Sequence, residues 1–185
     1  MVRSFSQVTS NVTSNVTRLL TALLVCAVGG GVTSAFGHVT LERNQAPVSA
    51  SYKAVLRVPH GCDGSPTTAI RVRIPEGVID VKPMPKPGWT LNVVKGKYAK
   101  TYSLFRAQVS EGVTQIDWTG GNLSDDYYDE FVFQTFLAGD LPAGETIYFP
   151  VVQECEKGVH RWIEIPKEGA DYPEPAPGLK LVPKQ

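Results

Sequence analysis

The chain of 185 residues carries 18 basic and 18 acidic side chains. A leader of residues 1–37 contains two arginines and no acid, so about 148 residues remain with a net charge near −2. That length suits a single domain with a real core, and that charge excludes nucleic acid as an expected partner. No stretch after the leader is long and apolar enough to predict a membrane span in the mature chain.

Residues 1–37 have the composition of a secretory signal peptide. Arg3 and Arg18 are the only charges, and the apolar run at 19–28 is too short to span a bilayer as a mature helix. A lipid-attachment box ending at Cys26 is an alternative, although it lacks the small residue expected just before the cysteine. The leader therefore predicts export, with a periplasmic or extracellular mature protein.

The end of this leader places a histidine at the predicted start of the mature chain. Ala35 and Gly37 match the small-x-small pattern that a signal peptidase accepts, which predicts a cut after Gly37. His38 would then offer its α-amine and its imidazole to one metal ion. Imidazole nitrogen suits Cu(II), which tops the affinity order of the divalent first-row metals. The alternative is that the cut falls nearby and that His38 is an ordinary surface residue.

The rest of the chain has the pattern of short strands separated by Gly and Pro. Apolar and polar residues alternate with period two, and β-branched and aromatic side chains are frequent. We expect an all-β fold, an antiparallel two-sheet β-sandwich of the immunoglobulin or cupredoxin-like kind with little helix. The predicted strands are Tyr52–Val58, Ala69–Ile74, Thr90–Val94, Thr101–Phe105, Val113–Trp118, Glu130–Phe136, Thr146–Val152 and His160–Ile165.

The segments between these strands complete the predicted organisation. The Pro-rich stretch 83–89 is expected to cross between sheets or to lie along an edge, because proline cannot donate ladder hydrogen bonds. A long loop is expected at 119–129. Residues 38–168 form the predicted domain, and residues 169–185 are expected to be an extended, poorly ordered Pro-rich tail.

Two cysteines remain after the leader, Cys62 and Cys155, which lie 93 positions apart. An even pair in an exported chain favours a disulfide, which adds roughly 4–5 kcal/mol for so large a loop in the chain-entropy model. A two-cysteine metal site is the alternative. It lacks a nearby Cys or His at the tight spacing of zinc sites.

Motifs that would indicate an enzyme are missing, and the candidate metal ligands are few. The sequence has no phosphate-binding Gly loop and no Gly-x-Ser-x-Gly nucleophile elbow. Its histidines are His38, His60 and His160, whose spacing predicts no zinc site. Only Met84 remains among mature methionines, so nitrogen and oxygen ligands and Cu(II) are favoured over sulfur and Cu(I). We therefore expect no catalytic residues.

Acidic side chains are concentrated before one predicted strand, and they are the natural source of an oxygen ligand. Composition alone favours a simpler interpretation, in which this is a solvated loop whose acids keep a strand edge soluble. The acids are Asp125, Asp126, Asp129 and Glu130.

A set of short motifs, in order along the mature chain, resembles the YcnI-like family of exported copper-binding domains, long catalogued as a domain of unknown function. The resemblance covers almost all of the mature domain. The motifs are 38–40 (His-Val-Thr), 58–62 (Val-Pro-His-Gly-Cys), 64–67, 85–89 (Pro-Lys-Pro-Gly-Trp), 118–121, 129–131 (Asp-Glu-Phe), 149–155 and Trp162.

The resemblance implies a mononuclear Cu(II) site of the single-histidine brace type. His38 would donate its amine and one imidazole nitrogen, Glu130 its carboxylate, and Trp162 would be a neighbour that shields the metal. The alternative for Trp162 is a buried structural tryptophan, which is also our interpretation of Trp89 and Trp118.

We therefore expect an extracytoplasmic Cu(II)-binding protein of copper homeostasis, a chaperone or buffer whose partners are the copper ion and another copper-handling protein. One alternative is a copper-dependent oxidase or oxygenase, although histidine braces with oxygen chemistry usually bring a second histidine. The other alternative is a metal-free interaction module, because sandwich folds support many functions. His60 is expected to be structural or solvent-facing, and His160 has no motif behind it.

Overall fold

The structure, a computed structural model, describes residues 37–167 and 170–184, and within these ranges it contains strands and no helix. None of the described residues belongs to a helix long and apolar enough to cross a membrane. The proposed leader up to residue 36, including Cys26 and Ala35, lies outside the described residues. The strands are β1 (Thr40–Leu41), β2 (Gln45–Pro47), β3 (Ala50–Val58), β4 (Thr67–Arg73), β5 (Val78–Pro83), β6 (Thr90–Leu104), β7 (Ala107–Leu123), β8 (Asp129–Leu137), β9 (Thr146–Tyr148), β10 (Val151–Cys155), β11 (Val159–Trp162) and β12 (Gly178–Val182).

Two antiparallel sheets form the sandwich. A four-stranded sheet has the order β1-β3-β8-β5, and a five-stranded sheet has the order β11-β10-β4-β7-β6. A small third sheet, β2-β12-β9, contains one parallel pair, β12 with β2. The predicted all-β sandwich is therefore confirmed. Strands β1 and β11 are both edge strands, and the candidate site lies where these two edges meet.

The core lies between the two main sheets, because alternate residues of each strand face inward. Phe131 of β8 meets Trp118 of β7 edge-on, with ring centroids 5.5 Å apart, and both side chains are fully buried. Leu56, Ile70 and Phe133 are fully buried in the same cluster. Packing of the sheets through these side chains fixes the relative position of their edges.

Strand boundaries differ from the predicted ones for identifiable reasons. Residues 95–100 lack apolar alternation, yet the chain continues as one long β6, because it pairs with β7 up to Lys97 and again from Tyr102, with a register shift between the two. The predicted strand Thr146–Val152 is divided, since Pro150 has no N–H to donate to the ladder. Strand β5 was not predicted; its alternation is broken at Asp80, where φ is 50° and the register with β8 shifts.

Of two predicted connections between strands, one agrees with the structure and the other is shorter than expected. The Pro-rich stretch 83–89 crosses from β5 in one sheet to β6 in the other, as expected. The predicted loop at 119–129 is shorter, because β7 extends to Leu123. Within this extension of β7, the Trp89 indole packs directly on Gly121. A Cβ at position 121 would lie 2.0 Å from Cε2 of Trp89, so this packing requires glycine.

The C-terminal segment is ordered, contrary to the expectation of a poorly ordered tail. Residues 178–182 form β12, in which Leu179 and Leu181 are fully buried in the main core cluster. The four prolines of this region led to the prediction of a poorly ordered tail, although the five residues 178–182 between the third and the fourth proline alternate in burial. The domain core therefore includes residues beyond the predicted boundary at 168.

Candidate metal site around His38

His38 lies immediately before β1, at the edge of the four-stranded sheet. Val39 is 1% exposed and fills the core, while His38 and Thr40 on either side of it are exposed. This is the alternation of a strand. The imidazole of His38 is therefore held at the sandwich edge by a buried neighbour and is open to solvent.

Trp162, at the end of β11, forms the wall beside His38. The two ring centroids are 5.6 Å apart in an edge-on arrangement with an interplanar angle of 63°. Trp162 is fully buried, and its indole Nε1–H donates to Oε1 of Gln153 over 3.0 Å. Trp162 is thus both a core tryptophan and a neighbour of His38, so the two interpretations of this residue are compatible.

Gln153 links Trp162 to the loop that follows β3. Its Nε2 donates to the backbone carbonyl of His60 over 2.7 Å and to Oγ1 of Thr67 over 2.8 Å. The side chain is completely buried, so every one of these bonds replaces a bond to water. Gln153 therefore fixes the position of Trp162 relative to His60.

The other two histidines lie in the same region. His160 of β11 stacks on Trp162 with ring centroids 5.0 Å apart, and His60 approaches His160 with ring centroids 6.2 Å apart. A Cβ added to Gly37 would lie 3.1 Å from Cδ2 of His60, so the residue before His38 lies against the His60 ring. We refer to His38, His60, His160 and Trp162 as the histidine cluster.

Glu130 lies on the same sheet as His38 but not beside it. Thr40 is paired with Arg57, and Arg57 is paired with Glu130, so the three side chains share one row on the same face. Two strand spacings, about 10 Å, separate the ends of this row, and His38 is two residues further along. The structure thus places Arg57 between the first strand and the proposed carboxylate ligand.

The neighbouring acids have partners of their own. Lys86 Nζ contacts Asp129 Oδ1 at 2.6 Å and the Glu130 carbonyl at 3.1 Å. Asp125 Oδ2 accepts the Gly64 amide at 3.1 Å. Among the described residues, no group of three or more His, Cys, Asp or Glu side chains is arranged to hold a metal ion. The role of Glu130 as a ligand therefore stays a prediction.

Cys62 and Cys155 form the predicted disulfide, with Cα atoms 6.0 Å apart, so neither offers a thiolate to a metal. The disulfide joins the loop after β3 to the end of β10. His60 and Gln153 each lie two residues from one of these cysteines. The covalent link thus supports the same region that Gln153 connects by hydrogen bonds.

Sequence reasoning missed three parts of this arrangement. His60 was interpreted as structural or solvent-facing, and only the fold shows that it faces His160. Gln153 carried a weak signal, since a polar residue stands at an inward position between apolar ones in β10. Glu174, which accepts from Nδ1 of His160 at 2.7 Å, gave no signal because it lies in the Pro-rich segment.

The fold and the cluster define a β-sandwich domain with histidines gathered at one edge. Residues 38–181 match the family model described as Domain of unknown function (DUF1775), so the chain belongs to that family. It is similar to an uncharacterized protein from Nocardia farcinica whose crystal structure reveals an immunoglobulin-like fold. The identity is 26% and the TM-score 0.59, over 78% of this chain and 98% of that one. No curated protein is significantly similar to this chain.

Proposed function

We propose that the protein is an extracytoplasmic Cu(II)-binding protein of copper homeostasis, a chaperone or buffer and not an enzyme. Copper is its cargo. The observation that carries the proposal is the packing of exposed His38 against fully buried Trp162, directly after the small residue Gly37. The resemblance of the ordered motifs to the YcnI-like family supports the same conclusion.

The donor set expected at His38 suits Cu(II). After a cut behind Gly37, the α-amine and the imidazole of His38 would be two nitrogen donors on one residue. Nitrogen and oxygen donors are those that Cu(II) prefers, and the cysteines are unavailable because they are joined. Trp162 supplies a rigid apolar wall on one side, which limits water access to that side of the ion.

Glu130 is the proposed oxygen donor. It is half-buried, on the same face of the sheet as Thr40, and its neighbour Asp129 is already paired with Lys86. Arg57 stands between Glu130 and β1, and its guanidinium lies 5.9 Å from the centre of the Tyr128 ring. Coordination by Glu130 would require its side chain to extend past Arg57 toward His38.

Release of copper would follow from ligand exchange at an open site. His38 is exposed, so a partner protein can offer its own ligands before the ion leaves. The amine and imidazole bind metal only when deprotonated, so the affinity is expected to fall as the pH is lowered. Both features suit a carrier that acquires and passes on its metal.

Titration of the protein beginning at His38 with Cu(II) tests the proposal. We expect one equivalent to bind tightly and to quench tryptophan fluorescence, since Trp162 lies 5.6 Å from the His38 ring. Trp162→Phe should remove most of this quenching while one equivalent still binds. Electron paramagnetic resonance should show nitrogen coordination.

Glu130→Ala should weaken binding at least tenfold and change the copper spectrum, whereas Glu111→Ala on β7, far along the ribbon, should change neither. Unchanged binding in Glu130→Ala would remove Glu130 from the ligand set. Absence of copper binding by the protein beginning at His38 would exclude the proposed function and favour a metal-free interaction module.

A further inference from the structure

His60 and His160 approach each other from two parts of the chain that only the fold brings together. His60 lies in the loop after β3, and His160 lies in the edge strand β11. Their rings are 6.2 Å apart and nearly perpendicular, with 26% and 13% of their side chains exposed. The pair is therefore partly shielded from water but remains accessible from the surface.

Hydrogen bonds leave the same nitrogen available on both rings. Nδ1 of His60 lies 2.6 Å from the Gly61 carbonyl oxygen and 3.9 Å from Asp125 Oδ1. Nδ1 of His160 lies 2.7 Å from Glu174 Oε1. A carbonyl and a carboxylate accept and do not donate, so both Nδ1 atoms carry a proton, and in the neutral form of each ring Nε2 carries the lone pair.

This pattern is the one found around metal-binding histidines. Such a histidine almost always donates its second ring N–H to a carboxylate or a backbone carbonyl, which fixes the tautomer and the ring orientation. His60 uses the carbonyl form and His160 the carboxylate form. Glu174 is held in turn, because its Oε2 accepts the Arg161 amide over 2.9 Å.

The distance between the rings discriminates between metals. An imidazole bound through Nε2 places its ring centre about 3.2 Å from the metal, so two rings reach at most about 6.4 Å when they are trans. A tetrahedral arrangement brings the centres to about 5.2 Å. A metal shared by both Nε2 atoms with the ring centroids 6.2 Å apart would hold the imidazoles near trans, which square-planar Cu(II) accepts and tetrahedral Zn(II) does not.

We propose that His60 and His160 form a second metal site, separate from the N-terminal amine of His38, that takes Cu(II) through their two Nε2 atoms. Water fills the remaining positions, since no third His, Cys, Asp or Glu of the described residues joins them in a metal-binding group. The site needs no cut before His38. Trp162 contacts both His160 and His38, so the site lies next to the proposed N-terminal one and suits transfer between them.

The test uses protein that begins at His38 and is acetylated on its α-amine, which blocks that amine and isolates the second site. Cu(II) is titrated in competition with a weak chelator, and Zn(II) is titrated separately. We expect one Cu(II) to bind, with Zn(II) at least tenfold weaker. His60→Ala and His160→Ala should each lower the Cu(II) affinity at least tenfold, Glu174→Gln should lower it several-fold, and His38→Ala should leave it within twofold.

A measurement on the unsubstituted protein guards against variants that do not fold. Substoichiometric Cu(II) should broaden the ring-proton NMR signals of His60 and His160 before those of His38 in the blocked form. No Cu(II) binding, or broadening and affinity that depend on His38 alone, would overturn the second site. Neither result would bear on copper binding by the protein beginning at His38 with its α-amine free, so the two proposals can fail separately.

Discussion

Gln153 is the residue on which the geometry of the histidine cluster depends most. Its buried amide satisfies the Trp162 indole, the His60 carbonyl and the Thr67 hydroxyl at once. A buried polar group left without a partner costs about 1–3 kcal/mol. One side chain therefore contributes both to stability and to the placement of Trp162 beside His38.

Replacing Gln153 with Leu should lower the free energy of unfolding by about 2–4 kcal/mol, because the indole N–H and the His60 carbonyl would lose their partner. Urea denaturation of the metal-free protein measures this change. Gln108→Leu is the matched control: Gln108 is exposed and its side chain donates to the exposed Ser103 hydroxyl, so its replacement should cost less than about 0.5 kcal/mol. Equal effects of the two substitutions would contradict the assigned role of Gln153.

Glu154, the next residue, gives the fold a pH-dependent contact. Hydrogen bonds from Arg71, at 2.8 and 3.2 Å, and the charge of that guanidinium hold the pKa of Glu154 below its usual range. The stabilising contribution is therefore present above the unfolded-state pKa of about 4.3 and is lost as the pH falls through the lower folded-state value. Both side chains are partly exposed, so the effect is small and weakened by salt.

Glu154→Gln should accordingly be less stable than the wild type at pH 7, with the difference shrinking toward zero as the pH falls from about 5 to about 2. Denaturation at a series of pH values and low salt measures it. In an Arg71→Gln background the same substitution should show little of this pH dependence. If the stability difference between the wild type and Glu154→Gln instead grew as the pH was lowered, the assigned role of the Arg71–Glu154 contact would be contradicted.

At the scale of single elements, β12 is a strand whose buried residues contribute to the stability of the fold. It completes the small sheet by pairing with β2 and β9, and Leu179 and Leu181 reach the main core. A chain ending before β12 would expose part of the core between the two main sheets. We therefore treat residues 178–182 as part of the domain.

Leu179→Ala should lower the free energy of unfolding by about 2–5 kcal/mol, as expected for a fully buried leucine. Lys184→Ala, in the exposed residues just beyond the strand, is the control and should have little effect. Thermal or urea unfolding distinguishes the two. If Leu179→Ala were as mild as the control, the segment would not be part of the core in solution.

For the whole molecule, the alternation of apolar and polar residues was enough to predict the class of fold. Strands β3, β4 and β8 were recognised because each is a run of apolar, β-branched and aromatic residues interrupted by single polar ones. Strands β1 and β2 were not recognised, because two and three residues are too few to show a period. The disulfide was predicted from compartment and parity and is confirmed.

The candidate site could be predicted only in part, because its members come together through tertiary packing. His38 and Trp162 were named from motifs, and the structure brings their rings together. No role in a shared site was predicted for His60 and His160. They are 100 residues apart in the sequence, and that separation does not indicate how close they lie in the fold. Glu130 followed from a motif, and its distance from His38 depends on sheet order, which the sequence does not reveal.

The measurement that tests the central claim most directly compares two forms of the protein that both begin at His38, one with a free α-amine and one with that amine acetylated. Both are titrated with Cu(II) in competition with a chelator of known affinity. Because the α-amine is a ligand only when it is free, the form with the free amine should bind Cu(II) at least 100-fold more tightly than the acetylated form, with a distinct paramagnetic resonance spectrum. Equal affinities and identical spectra would contradict a copper site built on the N-terminal amine of His38.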